Sequence, residues 1–419
     1  MTSKHTLVFA LLICTVSTVD QRIAANDWLQ WRGPNRNGAA TDGQKVPVEW
    51  NETKNVMWKI KVPGRGHSSP TVVGARIILT TAYESQQTQS VLGYDRATGR
   101  HLWKTDLNRG GLPPRIHTKN THASPTVASD GKRLFVVFVH HNNLHVTALG
   151  MDGRPIWKKV PASYAPQKYK YGYAASPFIH KSTLIVVSDC DSDSLLIALD
   201  LATGEEKWRT QRLEKISWSS PVVAQVAGRE QLLLSGCDQV VSYNPDTGEQ
   251  LWATRATTAA TCGTMLWNDK LVFASGGYPK AQTVCIRGDG SGGIVWQNNQ
   301  KCYEQSMLIH DGHIYAVTDA GVAYCWQASD GKEMWKERLG GPISASPTLA
   351  AGNIYATNER GTTFVFRATP EKFKAVAKNQ LGTETFATTT ICGNRIFMRV
   401  ASGERDRRQE SLYCIGENE

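Results

Sequence analysis

The stretch "SLYCIGENE" (residues 411–419) closes the sequence at a point where an earlier stretch of the same kind runs on. The earlier stretch, "LLIALDLATGEEKW" (195–208), passes from an apolar strand through a Thr-Gly turn into a second strand that carries Trp208. The last copy therefore lacks one Trp-bearing strand. A strand of that kind, "NVMWKIKV" (55–62), lies near the start of the chain. We expect the two segments to pair in one sheet, because pairing removes two exposed strand edges.

The Trp-bearing strand recurs at intervals typical of a propeller blade. Its tryptophans are Trp58, Trp103, Trp157, Trp208, Trp252, Trp296 and Trp335. Most follow a turn such as "YDRATGRHLW" (94–103), in which Asp bonds the turn backbone and Gly adopts positive φ. A second element, two β-rich strands around a turn as in "HSSPTVVGARIILTTA", occurs eight times. The pattern predicts an all-β, eight-bladed β-propeller of four-stranded antiparallel blades, with the Trp rings packed between blades.

The N-terminus has the organisation of a secretory signal. Lys4 and His5 precede an apolar run at residues 7–19, and small residues follow at Ala24 and Ala25. We therefore divide the chain into a signal peptide (1–25), a leader segment (26–54) and the propeller (55–419). No other segment is long and apolar enough to predict a transmembrane helix. These features predict an exported protein of the periplasm or cell envelope.

The net charge of +10 at pH 7 favours anionic partners. Acidic polysaccharide, lipid headgroups and nucleic acid are partners of this kind, and export makes nucleic acid unsuitable. We predict an envelope protein or an anionic glycan as the partner. The alternative is that the basic residues are dispersed over a solvated surface and mark no site. We expect the chain to be monomeric.

Eight of the nine cysteines lie beyond the predicted signal peptide, and an even number in an exported chain suggests disulfides. Three of them, however, take a position that other blades fill with small residues such as Gly93 and Ala148, which indicates buried thiols. These three are Cys285, Cys325 and Cys414. Two pairings stay open, Cys190 with Cys237 and Cys262 with Cys302.

Comparing the blades with one another separates framework positions from variable ones. A hydroxyl opens each inner strand, at Ser69, Ser124, Ser176, Ser220, Thr264, Ser306, Ser346 and Thr388. Two residues earlier the set varies: His67, His122, Ala174, Trp218, Cys262, Glu304, Ser344 and Phe386. We expect this variable set to surround one mouth of the central channel. His67 and His122 are then placed to bind a metal or an anion together, or simply to bond neighbouring backbone. Because no ligand-spacing motif is present, we predict no metal site.

Two long connections should lie on the same rim. They are "NRGGLPPRIHTKNT" (108–121) and "PASYAPQKYKYGY" (161–173), and in the second of them charged and aromatic side chains alternate over residues 168–171. Such loops either carry recognition or are simply solvated. The residues predicted to bind a partner are His67, His122, Trp218, Glu304, Phe386, His117, Lys168, Tyr169, Lys170 and Tyr171.

The repeat also resembles a known family. The "D-x-x-T-G-x-x-x-W" units (95–103 and 200–208) and the "SSP" strand starts resemble the PQQ-like repeat of eight-bladed quinoprotein propellers and of the outer-membrane protein assembly factors. The stretch "DWLQWRGPNRNG" (27–38) is similar to the leader of envelope propellers from planctomycete-type bacteria. The resemblance spans about residues 27–416 and specifies fold better than activity.

The two branches of this resemblance imply different functions. Quinoprotein dehydrogenases carry an adjacent Cys pair beside the quinone and a Glu, Asn and Asp set for calcium and base catalysis. This chain has no Cys-Cys dipeptide, and the acidic set has no matching positions, so we predict no cofactor and no catalytic residue. Assembly-factor propellers bind partners through rim loops without chemistry. The leading hypothesis is therefore a non-catalytic envelope propeller that binds a protein or glycan partner in outer-membrane or envelope assembly. The alternative is an enzyme, either a dehydrogenase using PQQ with calcium or a glycan-active enzyme using His67, His122 and Glu304.

Overall fold

The computed structural model describes residues 27–403 and 407–417. The predicted signal peptide lies outside these residues. Within them, the strands form eight four-stranded antiparallel sheets and there is no α-helix. Accordingly, no helix in the described ranges has the length and apolar character needed to cross a membrane.

Each blade consists of four strands, from the channel outward. The innermost strands are β2 (Thr71–Val73), β6 (Ala128–Ser129), β10 (Phe178–His180), β14 (Val222–Val226), β18 (Leu266–Trp267), β22 (Leu308–His310), β26 (Thr348–Ala350) and β30 (Thr390–Cys392). The second strands are β3 (Arg76–Tyr83), β7 (Arg133–His140), β11 (Thr183–Ser188), β15 (Arg229–Gly236), β19 (Leu271–Gly276), β23 (His313–Val317), β27 (Asn353–Thr357) and β31 (Arg395–Ser402). The third strands are β4 (Thr88–Asp95), β8 (Asn143–Gly150), β12 (Leu195–Asp200), β16 (Gln239–Tyr243), β20 (Gln282–Arg287), β24 (Val322–Gln327), β28 (Thr362–Arg367) and β32 (Gln409–Ile415). The outermost strands are β5 (His101–Arg109), β9 (Pro155–Ser163), β13 (Glu206–Gln211), β17 (Gln250–Arg255), β21 (Ile294–Asn298), β25 (Glu333–Arg338), β29 (Ala375–Gln380) and β1 (Val56–Val62).

The eighth blade joins the two ends of the described chain. Its strand order is β1-β32-β31-β30, so β32 lies between the N-terminal strand and the last hairpin. Trp58 pairs with Cys414 and Val62 pairs with Glu410 in an antiparallel register. The predicted eight-bladed propeller and its closure by the terminal strands are both confirmed.

The periodic tryptophans lie on the outermost strands and pack against the following blade, as predicted. The indole Nε1 of Trp157 donates a hydrogen bond to the Leu201 carbonyl of the next blade at 3.1 Å. The turn glycine of that blade, Gly204, has φ +71°, and a Cβ there would lie 2.7 Å from the Trp157 ring. The turn thus requires glycine both for its backbone conformation and for the close approach of the indole.

The leader segment crosses the channel and is hydrogen-bonded to several blades. The backbones of Trp28 and Val72 exchange two hydrogen bonds, and Ala40 donates to the Leu349 carbonyl. Between these points the buried Arg32 guanidinium donates to the carbonyls of Met307 and Pro347. Because a buried guanidinium is costly unless its donors are satisfied, these bonds fix the leader in the channel.

The eight cysteines of the described chain are all free thiols. Neither of the pairings left open by the sequence, Cys190 with Cys237 or Cys262 with Cys302, is present. The Sγ of Cys237 instead lies 3.2 Å from the Lys215 carbonyl. The three cysteines expected at small-residue positions are buried, as predicted, and burial raises the pKa of Cys285, Cys325 and Cys414 to about 12 each.

Candidate functional site

A ring of hydroxyls links the inner strands of neighbouring blades. The backbone N–H of one blade donates to the hydroxyl of the next, as from Ser176 to Ser220 at 2.9 Å and from Ser306 to Ser346 at 2.8 Å. In the second blade, however, Ser69 N–H donates to Thr126 at 3.1 Å rather than to Ser124. Thr126 in turn donates from its backbone to Ser176. The sequence assignment of Ser124 to this ring was therefore wrong by two residues.

Because of the same two-residue offset, His122 does not line the channel. The residue two before the hydroxyl in this blade is Ser124, which lines the central cavity, while His122 lies in a separate small cleft beside Gln89 and Phe138. The carbonyl of His122 accepts a hydrogen bond from Gln89 at 2.7 Å. His67 and His122 thus do not face one another in one cavity, and the described structure does not assemble the two-histidine site that we considered.

The channel mouth forms a cavity of about 340 Å³. Its principal side chains are Trp31, His67, His117, Lys119, Tyr169, Tyr171, Trp218, Cys262, Tyr278, Tyr303, Glu304 and Phe386. Trp31, from the leader, donates its indole N–H to the Thr264 hydroxyl at 2.8 Å. The leader meets the inner strands beyond the hydroxyl ring, and Trp31 lines the cavity from that side.

One wall of the cavity is a continuous series of aromatic rings. Tyr171 stacks on Trp218 with ring centroids 5.8 Å apart and planes inclined by 19°. Tyr169 contacts Tyr171 at 5.7 Å and Tyr278 at 5.9 Å. His117 meets the edge of Tyr171 at 5.0 Å. These contacts join the two predicted rim loops to the connection that carries Tyr278.

Hydrogen bonds hold both rim loops in one surface. The Tyr171 carbonyl accepts from the backbone of His117 at 3.2 Å and from the Asn120 side chain at 2.7 Å. Trp218 donates its indole N–H to the Gly172 carbonyl at 2.6 Å. Because backbone groups of both loops are bonded in this way, the loops have a defined conformation rather than being simply solvated.

A salt bridge reaches across the mouth from the first rim loop to the seventh blade. Lys119 Nζ lies 2.6 Å from a Glu359 carboxylate oxygen, which also accepts from the Ser344 hydroxyl at 2.6 Å. Sequence comparison between blades did not identify Lys119, Tyr278 or Tyr303. Of the predicted residues, Lys168 and Lys170 are exposed on the rim and do not line the central cavity.

The cavity contains two titratable groups whose charge is set by burial. Burial lowers the pKa of His67 well below its ordinary value, and the neighbouring guanidinium groups lower it further, so this imidazole is neutral at pH 7. It stacks on Phe386 with ring centroids 4.5 Å apart. Burial is the largest cause of the raised pKa of Glu304. The Ser344 hydrogen bond and the charge of Lys119 lower this pKa, and the charges of Asp319 and Glu359 raise it.

Solved structures of several propellers are similar to this one. The BamB structure from Moraxella catarrhalis has a TM-score of 0.63 and 14% identity, covering 87% of this chain and 98% of that chain. A europium-containing methanol dehydrogenase has a TM-score of 0.69 and 11% identity, covering 95% and 99%. The quinohemoprotein alcohol dehydrogenase from Comamonas testosteroni has a TM-score of 0.69 and 13% identity, covering 97% and 83%. At these identities the likeness shows the fold alone.

The residues at the cavity do not fit PQQ with calcium. Calcium takes six to eight oxygen ligands, usually including several carboxylates, whereas Glu304 is the one carboxylate among the described residues that line the cavity. Asn120 is already bonded to Tyr171 and Ser124. Cys262 is a single free thiol, with no adjacent partner. We therefore assign no step to this cofactor.

Sequence relatives point to one branch of the resemblance. The outer membrane protein assembly factor BamB of Burkholderia pseudomallei (strain K96243) is 24% identical over 385 residues, which is 78% of this chain and 92% of that protein. A family model described as outer membrane protein assembly factor BamB matches residues 87–289 and 280–369. These matches cover most of the blades, and the chain belongs to the outer membrane protein assembly factor BamB family.

Proposed function

We propose that this chain is a non-catalytic, exported propeller of the cell envelope that binds a protein partner at its channel mouth and acts in outer-membrane protein assembly. Family membership supports the assembly role. The observation that carries the binding site is the pair of exposed aromatic side chains on the rim, Tyr171 at 39% and Tyr278 at 48% exposure. Exposed tyrosines on a structured surface are typical anchors of protein interfaces.

The charges at the mouth favour a protein over an anionic glycan. Glu304 lies in the cavity wall, and Lys119 is already neutralised by Glu359. An anionic sugar entering the cavity would meet the Glu304 carboxylate, and the nearby Lys119 is already paired with Glu359. Lys168 and Lys170 remain on the outer rim, where a protein partner with acidic residues can reach them.

The proposal is tested with the double variant Tyr171→Ala, Tyr278→Ala. Exchange of the whole loops is unsuitable, because the second loop contributes the buried side chains of Tyr164 and Tyr173 to the core. We expect the variant to bind the partner from a solubilised envelope extract at least about thirtyfold more weakly, since one aromatic anchor already contributes about 2 kcal/mol or more. Quantitative mass spectrometry of the captured protein measures the effect.

The matched control is Ile156→Ala, Val160→Ala on the outermost strand of the second blade. Both side chains are 52% exposed and apolar, and they lie on the outermost strand β9, outside the residues that line the cavity. This control should capture as much partner as the unmodified chain. Equal capture by the rim variant, or a loss confined to the β9 variant, would contradict the assignment of the rim.

A further inference from the structure

The cavity combines an aromatic lining with a half-buried acidic group, Glu304. Its aromatic side chains are Trp31, Tyr169, Tyr171, Trp218, Tyr278, Tyr303 and Phe386. Aromatic rings carry a negative face, which attracts cations and is more effective where water is excluded. Trp31 lines the cavity on the side of the leader, where its indole is bonded to Thr264. Such a lining suits the insertion of one side chain from outside.

Glu304 gives this cavity an acidic group with no salt bridge of its own, although the Ser344 hydroxyl and the charge of Lys119 favour its ionised form. Its carboxylate lies in the wall, and in the described part of the chain no Lys, Arg or His lies within salt-bridge distance of it. Burial is the largest cause of its raised pKa, which means that the ionised form is disfavoured as the site stands. A cation placed beside Glu304 would therefore gain more interaction free energy than a cation placed beside a solvated carboxylate.

The cations closest to the cavity are already bound to other carboxylates. Lys119 pairs with Glu359 at 2.6 Å, and Lys301 pairs with Asp319 at 3.3 Å. On the His67 side, Arg408 pairs with Glu384 and Glu410 and Arg399 pairs with Glu410. His67 itself is neutral. Glu304 therefore has no salt-bridge partner among the described residues and is available to pair with a cation of the partner.

We propose that the cavity receives an arginine side chain of the protein partner, whose guanidinium contacts the aromatic lining and pairs with Glu304. This inference rests on the proposed function and specifies the chemistry of the partner. Arginine suits the site better than lysine because its planar guanidinium stacks on aromatic rings, is weakly hydrated, and matches a carboxylate with two parallel donors. A volume of about 340 Å³ accommodates one such side chain.

Binding should depend on pH in a defined direction. The groups that act on Glu304 are Lys119, Asp319, Glu359 and the Ser344 hydroxyl. The groups that act on His67 across the cavity are Arg65, Arg399 and Arg408, which keep it neutral. Because the pKa of Glu304 is raised and arginine binds its ionised form, affinity should rise as the pH rises through the titration of Glu304.

The test uses the full chain and blocked pentapeptides, Gly-Gly-X-Gly-Gly, with X as arginine, citrulline or lysine. Citrulline has the shape of arginine without its charge. We expect the arginine peptide to bind about tenfold or more tightly than the citrulline peptide, because hydrogen bonds between charged groups are stronger than those of a neutral donor. Quenching of tryptophan fluorescence and calorimetry measure binding.

Glu304→Gln should weaken the arginine peptide about tenfold and leave the citrulline peptide unchanged. Glu337→Gln, on the exposed outer strand β25, is the matched control and should leave both unchanged. Thermal unfolding checks that Glu304→Gln is folded, and the citrulline comparison on the unmodified chain does not depend on any variant. Equal affinity for arginine and citrulline overturns the proposal, and equal affinity for lysine overturns the choice of arginine.

The two proposals fail in different ways. If the rim variant loses partner capture while arginine and citrulline bind alike, the mouth is the docking site but the arginine assignment is wrong. If the peptides discriminate as expected while the rim variant captures partner normally, the cavity binds guanidinium but the proposed docking surface is wrong.

Discussion

Truncation of the chain after Arg408 is expected to abolish the folded propeller. The deletion removes β32, whose Leu412, Tyr413 and Ile415 side chains are fully buried. At about 1.5–3 kcal/mol for each large buried side chain, their loss is comparable with the about 5–15 kcal/mol that stabilises a typical protein. It also leaves β1 and β31 as two open edges, since β32 pairs with both. Circular dichroism and urea unfolding should show no cooperative transition.

The control for this deletion is truncation after Gly416, which leaves β32 complete. This shorter deletion should unfold at the same urea concentration as the full chain. A cooperative transition at that same concentration for the truncation after Arg408 would show that the eighth blade does not need its third strand. Closure of the ring by the terminal strands would then contribute little to stability.

Arg212→Ala is expected to lower the free energy of unfolding by about 3–5 kcal/mol, the cost of leaving one member of a buried ion pair without its partner. The Arg212 guanidinium and the Asp189 carboxylate are both fully buried, with Nε to Oδ1 at 2.6 Å. Arg212 also donates to the Tyr243 hydroxyl at 2.6 Å. The substitution would leave the Asp189 charge in the core between the third and fourth blades. Urea unfolding measures the change.

Two further variants test whether the loss of stability in Arg212→Ala depends on the burial of the ion pair. Arg209→Ala removes an exposed pairing with Glu206 and should cost less than about 1 kcal/mol. The double variant Arg212→Met, Asp189→Asn removes both charges and should recover most of the stability lost in Arg212→Ala. Similar losses for Arg209→Ala and Arg212→Ala would contradict the role given to the buried pair.

The fold could be predicted because each blade repeats one local arrangement. A turn glycine lies on the indole of the preceding blade, as Gly204 does on Trp157, so the packing leaves a periodic mark in the sequence. The missing final strand was equally visible, because the copy that ends with Cys414 stops before its Trp-bearing strand. Sequence periodicity therefore identifies the residues that have the same structural role in every blade.

Comparison of the blades identified cavity-lining residues only in those blades whose sequences align without inserted residues. Counting back from the hydroxyl ring placed His67, Trp218, Glu304 and Phe386, which line the cavity. The same count gave the wrong residue, His122, in the second blade. There eight positions separate Pro125 from Arg133, whereas six separate the corresponding Pro70 and Arg76 of the first blade. That difference was present in the sequence and would have corrected the assignment.

Other cavity residues depend on contacts between distant parts of the chain. Trp31 reaches Thr264 from the leader, and Lys119 reaches Glu359 across the mouth. Tyr278 joins the aromatic wall through Tyr169. No repeat encodes the course of the connections that carry these residues, so blade-by-blade comparison could not find them.

Docking of a protein partner at the channel mouth is tested most directly by site-specific photo-crosslinking. A benzophenone amino acid replaces Tyr171 in one variant, Tyr278 in a second and Ile156 in a third. We expect the first two variants to crosslink the same outer-membrane assembly protein, identified by mass spectrometry, and the Ile156 variant on β9 to give no crosslink to it. A crosslink from Ile156 without one from Tyr171 or Tyr278 would contradict the account.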